Sequence, residues 1–386
     1  MNIPNRTSFG IILYITLIGV ITLNLCNLCY SQEIQFSQYN AFPLYLNPAS
    51  TGQISQNRIS LVSRSQWVNI DGAYNTLGFS YDYNLKRMKS GLGLVVLQDE
   101  SSGGGFSTFT AGGLYAYHLR INRKLFLNSG MRVAYIQQRL DPTKLTFADQ
   151  LIRNDGSPTY EVFDNLMHDF VDFSWGNIFF YYDSVKASSY WIGIALDHLN
   201  TPEISFKDYP GVLPVKYTIH GGGKYLLNKD VRGYPISVIS FSFLYKGQLK
   251  WDQAELGASY IYRFSERKKS TEREKRGKPS FKKPEVFPSL SETQMPWAYL
   301  EAGLAYRGIP FLKRNKAGYL NHDALIILFG FSCNDIKIAY TFDVTISKLS
   351  ISNTAGAHEI SLIYKFIIPH SETGLTKSKK MGDSMF

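Results

Sequence analysis

Apolar and polar residues alternate over long stretches of this chain. From Leu77 to Tyr83 every second residue is apolar, and the residues between them are small or acidic. The stretches Pro214 to Leu226 and Trp251 to Phe264 repeat this period of two. Such a period predicts β-strands with one apolar and one polar face, because successive side chains of a strand point to opposite sides.

The alternating stretches predict fourteen strands, an even number, as a single-chain bacterial barrel requires. Their predicted bounds are residues 58–67, 74–83, 91–98, 106–119, 124–137, 169–182, 189–197, 214–226, 235–246, 251–264, 297–306, 322–332, 335–343 and 355–366. Many are much longer than the globular average of about 5–6 residues. They match the roughly 9–11 residues that a tilted strand needs to cross a bilayer.

Aromatic residues gather near the predicted strand ends, as at Tyr115–Tyr117, Phe179–Tyr182 and Tyr260–Tyr262. Aromatic girdles at both interfaces are typical of transmembrane barrels. We therefore predict an all-β fold, a transmembrane antiparallel β-barrel of the outer-membrane type. A soluble β-protein is the alternative.

An even strand number puts both ends of the barrel chain in the periplasm, so parity assigns every connection. The predicted periplasmic links are mostly short: Asn84–Ser90, Arg120–Arg123, Asp183–Ser188, Asn228–Tyr234 and Cys333-Asn334. The predicted outward links include the longer Gln138–His168, Asp197–Leu213 and Arg307–Asn321.

One predicted periplasmic link, residues 265–296, is long and basic. Between Glu266 and Glu285 it has nine Lys or Arg and four Glu, which is half of the net charge of +10. The residues allow two interpretations: a solvated, disordered loop, or a tether that docks a periplasmic partner or anionic lipid headgroups. Residues 367–386 form a second basic element, a C-terminal tail on the same side.

Residues 1–31 have the pattern of a secretory signal peptide. Arg6 supplies a positive start, Phe9–Leu25 is almost wholly apolar, and Cys29 and Ser31 are small residues at a cleavage site. The alternatives are a membrane anchor, for which the apolar run is short, and a lipoprotein signal. Cleavage leaves Cys333 as the remaining cysteine, which excludes an intrachain disulfide and a cysteine metal site.

Residues 32–57, before the first strand, have no regular period. The stretch Gln35–Gly52 has four aromatic residues and no charge, and Pro43 and Pro48 disfavour helix and sheet ladders. Four aromatic side chains are costly to leave together in water. We expect a periplasmic, plug-like segment that packs into the lumen or against the periplasmic rim, with barrel residues 58–366 following it.

The residues give little sign of catalysis, and we predict that the protein is not an enzyme. Seven histidines are dispersed, and none forms a pair with metal-ligand spacing. His168-Asp169 is the nearest approach to an acid/base pair. Gly103–Gly105 lacks the lysine of a phosphate loop, and Gly221–Gly223 lies within a strand, where glycine permits a bend or a close approach. We predict no catalytic residue, no cofactor, no metal and no nucleic acid partner.

The polar faces of the predicted strands carry charges of both signs. We expect these side chains in the lumen: Asp82, Arg132, Lys216, Lys224, Glu255, Arg263, Glu301, Glu359 and Lys365. Charges there require water or paired networks. The interior is therefore a water-filled channel, a plugged lumen or a filled interior cross-linked by salt bridges.

Several motifs follow one another in an order that resembles a known family. QFSQY (35–39) and PLYLNPA (43–49) precede Arg58, Arg64 and Gln66-Trp67. GLGLVVLQDESSGG (91–104), the pair of strands at 113–135, VDFSWGNIFFY (171–181), GIALDHLNTP (193–202) and LPVKYTIHGGGKY (213–225) follow. Together they resemble the PorP/SprF family of type IX secretion system membrane proteins.

The resemblance implies an outer-membrane barrel of a Bacteroidota-type bacterium. It further implies a cargo-specific accessory of type IX secretion and gliding motility, which recognises the C-terminal sorting domain of a secreted or surface-anchored protein. The implied partners are that cargo, type IX components of the outer membrane and periplasm, and the lipid bilayer. The residues that bind partners are not indicated. A channel or uptake barrel for a small solute is the alternative function.

Overall fold

Fourteen antiparallel strands form a closed barrel in the part of the chain that the computed structural model describes. The described residues are 33–366, except for 71, 154–155, 164–165, 184–187, 207–210, 230–234, 250, 265–297, 310–320 and 347–353. The predicted signal peptide, the whole basic link 265–296 and the C-terminal tail therefore lie outside the described residues.

The strands confirm the predicted fold, with bounds that differ from the prediction by a few residues. They are β1 (Asn57–Gln66), β2 (Tyr74–Leu85), β3 (Ser90–Ser101), β4 (Phe106–Arg120), β5 (Leu125–Leu140), β6 (Met167–Asp183), β7 (Ser188–Asp197), β8 (Lys216–Lys229), β9 (Pro235–Gln248), β10 (Trp251–Arg263), β11 (Ala298–Ile309), β12 (Asn321–Cys333), β13 (Ile336–Thr345) and β14 (Ala357–Phe366).

Each strand pairs with its neighbours in sequence, and β1 pairs with β14 to close the barrel. The closing ladder runs from Asn57 opposite Phe366 to Gln66 opposite Ala357. Closure satisfies the backbone donors and acceptors of both terminal strands, which lipid would otherwise leave unpaired.

The alternation of apolar and polar residues in the sequence corresponds to the alternation of outward and inward side chains in the barrel wall. On β10, Leu256 points outward and is 64% exposed, whereas the neighbouring Glu255 points inward and is 2% exposed. Outward aromatic residues lie near the strand ends, including Tyr181 and Tyr262 at one end and Tyr135 at the other. An apolar outer band between aromatic girdles is the surface that a bilayer covers.

The barrel has two distinct ends. We call the end with the even-to-odd connections the turn end; it has short links such as 86–89 and 334–335. We call the other the loop end; it has longer links such as 141–166 and 198–215. Besides the strands, two short α-helices are described, α1 (Pro43–Leu46) before the barrel and α2 (Ala148–Arg153) in the loop-end link 141–166. None of the described helices has the length and apolarity to cross a membrane.

The predicted link Arg307–Asn321 begins too early. Arg307 lies in β11 and points into the lumen, where it is 3% exposed. The ladder between β11 and β12 shifts register between Arg307 and Gly308. This bulge breaks the period of two, and the sequence pattern therefore loses the strand before its end.

Candidate functional site in the barrel lumen

The segment Phe36–Gly52, which we call the lumen segment, lies inside the barrel. Most of its residues are buried. The buried residues are 36–39, 41, 42, 44 and 47–52. The lumen is one of the two expected positions, and the segment runs through it from contacts near the loop end to contacts near the turn end.

At the loop end, Ser37 and Gln38 are held by β14. The backbone N–H groups of Ser37 and Gln38 each donate to the Glu359 carboxylate at 2.8 Å. The Gln38 amide donates to the Glu359 carbonyl at 3.0 Å, and its oxygen accepts from the Ser361 hydroxyl at 2.6 Å. Ser37 and Gln38 are therefore attached to the inner face of β14 by four hydrogen bonds.

Three buried ion pairs surround this contact. Arg64 on β1 donates to Asp343 at 2.9 Å and to Glu359 at 3.0 Å. Arg307 on β11 donates to Asp343 at 2.9 Å, and both guanidinium groups also donate to the Ser37 hydroxyl oxygen. The Ser37 hydroxyl donates to Asp343 at 2.6 Å. Two cations and two carboxylates are thus joined through one residue of the lumen segment.

The middle of the lumen segment is aromatic. The rings of Phe36, Phe42 and Tyr45 lie 5.4 to 6.2 Å apart, centroid to centroid. The Arg132 guanidinium and the Lys216 ammonium lie 5.7 and 5.5 Å from the centre of the Tyr45 ring, within the range of cation–π attraction. Both cations also pair with Asp197, at 2.8 and 3.2 Å.

Asn47 fixes the segment to three strands. Its side-chain amide donates to the carbonyls of Asn177 on β6 and Ile194 on β7, at 3.2 and 3.1 Å. The same nitrogen lies 3.0 Å from His220 Nε2 on β8, and the Asn47 oxygen accepts from the Ala49 N–H at 2.9 Å. This single side chain therefore caps the following turn and attaches it to the barrel wall.

At the turn end, Asp82 receives the end of the segment. Its carboxylate accepts from the Gly52 N–H at 2.8 Å and forms a two-point ion pair with Arg58, at 2.8 and 3.0 Å. His118 donates from Nε2 to the Thr51 carbonyl at 2.9 Å, and Asn84 donates to the Gly52 carbonyl. The segment is thus held at both ends and in the middle.

Glycines of the wall leave room for the segment. A Cβ atom at Gly130 on β5 would lie 2.5 Å from the Pro48 carbonyl carbon, and one at Gly91 on β3 would meet the backbone of Thr51. A Cβ atom at Gly176 on β6 would overlap the Asn47 side chain. Backbone packs directly against backbone at the first two positions, which a larger side chain would prevent.

The prolines of the lumen segment act differently from the expectation. Pro43 is the first residue of α1, and Pro48 is the first residue of a 3₁₀ turn over Pro48–Ser50. Proline is compatible with the first turn of a helix, because the N–H that it lacks has no partner there. The two prolines therefore begin short helical turns within the lumen.

Beside the lumen segment, the barrel encloses a cavity of about 300 Å³. Small inward residues of β9, β10 and β11 leave this space, among them Ser242, Gly257 and Ala305. Lys224, Lys337 and Lys365 line it from β8, β13 and β14. The lumen is therefore neither an open pore nor completely filled.

The structure places all nine predicted lumen charges on the inner wall. Asp82, Arg132, Lys216 and Glu359 contact the lumen segment or its ion pairs, as described above. Glu301 pairs with Lys337 at 2.6 Å and accepts from the Ser259 hydroxyl at 2.8 Å. Glu255, Lys224 and Lys365 line the cavity, and Arg263 is 8% exposed at the last position of β10.

Other residues of the site were not predicted from the sequence. Asp197 is the last residue of the predicted strand 189–197 and the first of the predicted link, Arg307 falls in a predicted link, and Asp343 is not among the predicted lumen charges, although it has the inward phase of β13. The inward glycines Gly91 and Gly130 were also missed. A glycine at an inward position leaves space in the lumen, and the alternation of the strand is enough to show that these two glycines face inward.

The glycine run within β8 is approached by both aromatic rings and backbone of the adjacent strands. The Phe243 ring and the Trp191 carbonyl oxygen lie close to Gly221, the Phe241 carbonyl oxygen and the Trp191 ring close to Gly222, and the Phe241 and Tyr190 rings close to Gly223. The run lets adjacent strands β7 and β9 place large rings across β8. This arrangement agrees with the expectation that glycine permits a close approach at this position.

The histidines stay apart in the described part of the chain. His198 pairs with Asp172 at 2.8 Å, and His168 lies 2.7 Å from the Glu203 carbonyl. His322 and His358 each contact a tyrosine hydroxyl at 2.7 Å. The described residues contain no cluster of three or more His, Cys, Asp or Glu side chains that could hold a metal ion.

The closed barrel, its apolar outer band and its aromatic girdles define an outer-membrane β-barrel protein. Residues 28–364 match the family described as type IX secretion system membrane protein PorP/SprF. The chain therefore belongs to the PorP/SprF family, and it is located in the outer membrane. This family consists of secretion-system membrane proteins and is not a known class of enzymes.

Solved structures of similar shape are also barrels. The toluene transporter TodX of Pseudomonas putida has a TM-score of 0.45 and 10% identity, with 88% of this chain and 95% of that chain covered. BamA of Haemophilus ducreyi without POTRA domains 1–3 has a TM-score of 0.37 and 8% identity, with 81% and 71% covered. No curated protein matches this chain in sequence.

Proposed function

We propose that this protein is a cargo-specific accessory of type IX secretion and gliding motility. It binds the C-terminal sorting domain of a secreted or surface-anchored protein, and it works beside type IX components of the outer membrane and periplasm. The observation that favours an accessory over a conduit is the lumen segment. Hydrogen bonds to the wall hold this segment from one end of the lumen to the other, in the space that a translocating chain would need.

The loop end offers a surface for such a cargo. Transmembrane barrels have short periplasmic turns and longer extracellular loops, which assigns the loop end to the cell exterior. In its link 141–166, the side chains of Leu151, Ile152, Tyr160 and Val162 are 70 to 86% exposed. Exposed apolar groups that lie together mark interaction sites.

This surface has a defined shape. Asp149 in α2 accepts from the Tyr160 N–H and from the Thr159 hydroxyl, both at 2.8 Å, and pairs with Arg153 at 2.8 Å. The Arg153 guanidinium lies 4.0 Å from the centre of the Tyr160 ring. Asp149 thus joins the two parts of the link that present the apolar side chains.

The test is recovery of the cargo from native outer membranes. The tagged wild-type protein should recover one large secreted protein with a C-terminal sorting domain, and deletion of the gene should remove that protein from the cell surface. The variant Leu151→Ser/Ile152→Ser should recover much less. Val212→Ser is the matched control, since Val212 is 62% exposed in another loop-end link. Normal secretion in the deletion strain, with no large protein recovered, would contradict the proposal.

We extend the proposal to the segments outside the described residues. Residues 1–31 are a cleaved signal peptide, which N-terminal sequencing of the mature protein checks. The basic link 265–296 docks periplasmic components of the system. Deletion of residues 267–283 should leave the barrel folded, seen as heat-modifiable migration on gels, and should abolish cargo export. Full export without these residues would favour the other interpretation, a solvated loop without a docking function.

A channel for a small solute is the second candidate, and the cavity of about 300 Å³ favours it. The lumen segment opposes it, because ion flow needs a continuous water path. Planar bilayer recordings separate the two candidates. The accessory proposal expects little conductance from the wild-type protein, and a steady large conductance would favour the channel.

A further inference from the structure

The cavity beside the lumen segment has the properties of a ligand site. Its volume of about 300 Å³ lies at the lower end of the range of small-molecule sites, roughly 300–1,000 Å³. We call it the basic cavity, and we define it by Lys224, Lys337, Lys365, Trp191, Ile178 and Ile363, which all line it. The interactions of the lumen segment described above do not use these residues.

Its charge is unbalanced toward the turn end. Lys337 is the second residue of β13, Lys365 the next to last of β14, and Lys224 lies in the turn-end half of β8. The carboxylate among them is Glu301, which pairs with Lys337 and accepts a hydrogen bond from Ser259. Three ammonium groups thus face one carboxylate.

Two other charged groups line the cavity. Arg58 is already engaged in its two-point pair with Asp82. Glu255 lines the cavity from the loop-end part of β10. Neither changes the positive excess at the turn-end side.

Among these lysines, Lys224 most strongly favours an anionic ligand. Its side chain lines the cavity, and the structure gives its ammonium neither a hydrogen bond nor an ion pair among the described residues. Lys224 is half-buried. Holding an ammonium there without a partner is costly, and an anion beside it offsets that cost. An anionic ligand in the cavity would supply the partner that the protein does not.

The walls favour an anion with an apolar body. The apolar side chains of Trp191, Ile178 and Ile363 line the cavity, and the small residues Gly257, Gly303 and Ala305 line it as well. A bare inorganic ion would leave this apolar surface uncovered, whereas an aromatic or aliphatic group would cover it.

We propose that the basic cavity binds an organic carboxylate, with the carboxylate at Lys224 and the apolar body toward Trp191. The carboxylate belongs either to a free organic acid or to the C-terminus of a polypeptide. The proposal is independent of cargo recognition and holds for either candidate function.

Calorimetric titration of the full-length protein in lipid nanodiscs tests it. The probes are 3-phenylpropionate, its neutral amide, inorganic phosphate, and a hexapeptide ending in Phe with a free or an amidated C-terminus. We expect binding of at least one carboxylate probe and none of its neutral counterpart. Binding of the free acid alone assigns a small-molecule source, and binding of the free-ended peptide assigns a polypeptide source.

Two variants locate the site. Lys224→Met should weaken carboxylate binding by roughly tenfold or more, as expected for loss of a buried charge partner. Lys229→Met is the matched control, since Lys229 lies on the same strand but is exposed and does not line the cavity. Ala305→Leu fills the space without changing charge and should abolish binding even if Lys224→Met misfolds.

Several results would overturn the proposal. They are no binding of any carboxylate probe, equal binding of acid and amide, binding of phosphate alone, and affinity unchanged in both Lys224→Met and Ala305→Leu. Retained heat-modifiable migration shows that each variant is folded before it is titrated.

Discussion

The Pro48 carbonyl lies directly against the inward face of Gly130. A Cβ atom on residue 130 would be 2.5 Å from the carbonyl carbon and from its oxygen, much closer than van der Waals contact. The lumen segment and β5 therefore approach one another as closely as two backbones can. A side chain at position 130 and the lumen segment in its observed position therefore exclude one another.

Gly130→Val should displace the lumen segment. The added side chain meets backbone, which cannot rotate away, and overpacking of this kind costs about 1–3 kcal/mol. We expect the folded variant to become sensitive to protease within residues 36–52, where the wild type is resistant. Mass spectrometry of the cleavage products after limited proteolysis gives the measurement.

Gly113→Ala is the control for this change. Gly113 lies on β4, and a Cβ atom there would meet nothing within 4 Å. The control should keep wild-type resistance. If Gly130→Val also kept it, with the barrel folded, the tight contact between Pro48 and Gly130 would be disproved.

Asn47→Ala should destabilise the protein. The change removes the donor to two strand carbonyls and the cap of the following turn, and it takes from the buried Ala49 N–H the acceptor that it has in the wild type. Loss of a buried hydrogen-bond partner costs about 1–3 kcal/mol. A lower midpoint of denaturant unfolding in detergent, followed by tryptophan fluorescence, checks the effect.

Asn40→Ala provides the comparison, since Asn40 lies in the same segment but is exposed. Its midpoint should equal that of the wild type. Asn47→Asp should be at least as harmful as Asn47→Ala, because a carboxylate repels the Asn177 and Ile194 carbonyl oxygens that the amide binds. A midpoint unchanged in both Asn47 variants would show that the segment contributes nothing to stability.

The sequence alone predicts the barrel well, because strands carry a local signal. The period of two places Asp82 and Glu255 on the inner face without any knowledge of neighbouring strands. The same signal fails at Arg307, where the bulge shifts the phase. The local pattern therefore predicts the strands of the wall and the direction of their side chains, and it is less accurate where a bulge interrupts a strand.

The lumen segment shows what local pattern cannot give. Its aromatic residues indicate burial, but its position depends on contacts such as that between Ser37 and Glu359, which are 322 residues apart. No period relates two such residues. The segment's place inside the barrel could be anticipated from its composition, whereas its reach to the loop end and its individual partners could not.

Arg64→Gln should be more disruptive than most single changes in the barrel. It leaves the buried carboxylates of Asp343 and Glu359 with Arg307 as the remaining cation among the groups described around Ser37. Removing one partner of a buried ion pair costs about 3–5 kcal/mol. The denaturant midpoint should fall accordingly, measured under the same conditions as for the Asn47 variants.

Two further variants test the cause of that loss. Arg64→Gln/Glu359→Gln should recover part of the stability, since it removes one of the uncompensated charges. Lys124→Gln should leave the midpoint unchanged, because the pair of Lys124 with Asp183 is solvent-exposed on the lysine side. A double variant as unstable as the sum of its two single variants would argue against coupling between Arg64 and Glu359.

The loop-end surface should lose its order in acid. The Tyr160 N–H, with the Thr159 hydroxyl and Arg153, holds the pKa of the Asp149 carboxyl below its usual range, which is about 3.9. A lowered pKa in the folded loop means that the ionised carboxylate stabilises it. This stabilisation is complete above about pH 4 and is lost as the pH falls through the lowered pKa.

Hydrogen exchange of the Tyr160 amide, corrected for the intrinsic rate at each pH, measures this order. Protection should be constant from pH 7 to about pH 5 and should fall below about pH 4. Asp149→Asn should give weak protection at every pH. Asp141→Asn is the control: the Asp141 carboxylate also has a lowered pKa, caused by the Thr143 hydroxyl, but it caps a different turn. Protection of Tyr160 that persists in acid, or that Asp141→Asn removes equally, would show that Asp149 does not hold the two parts of the surface together.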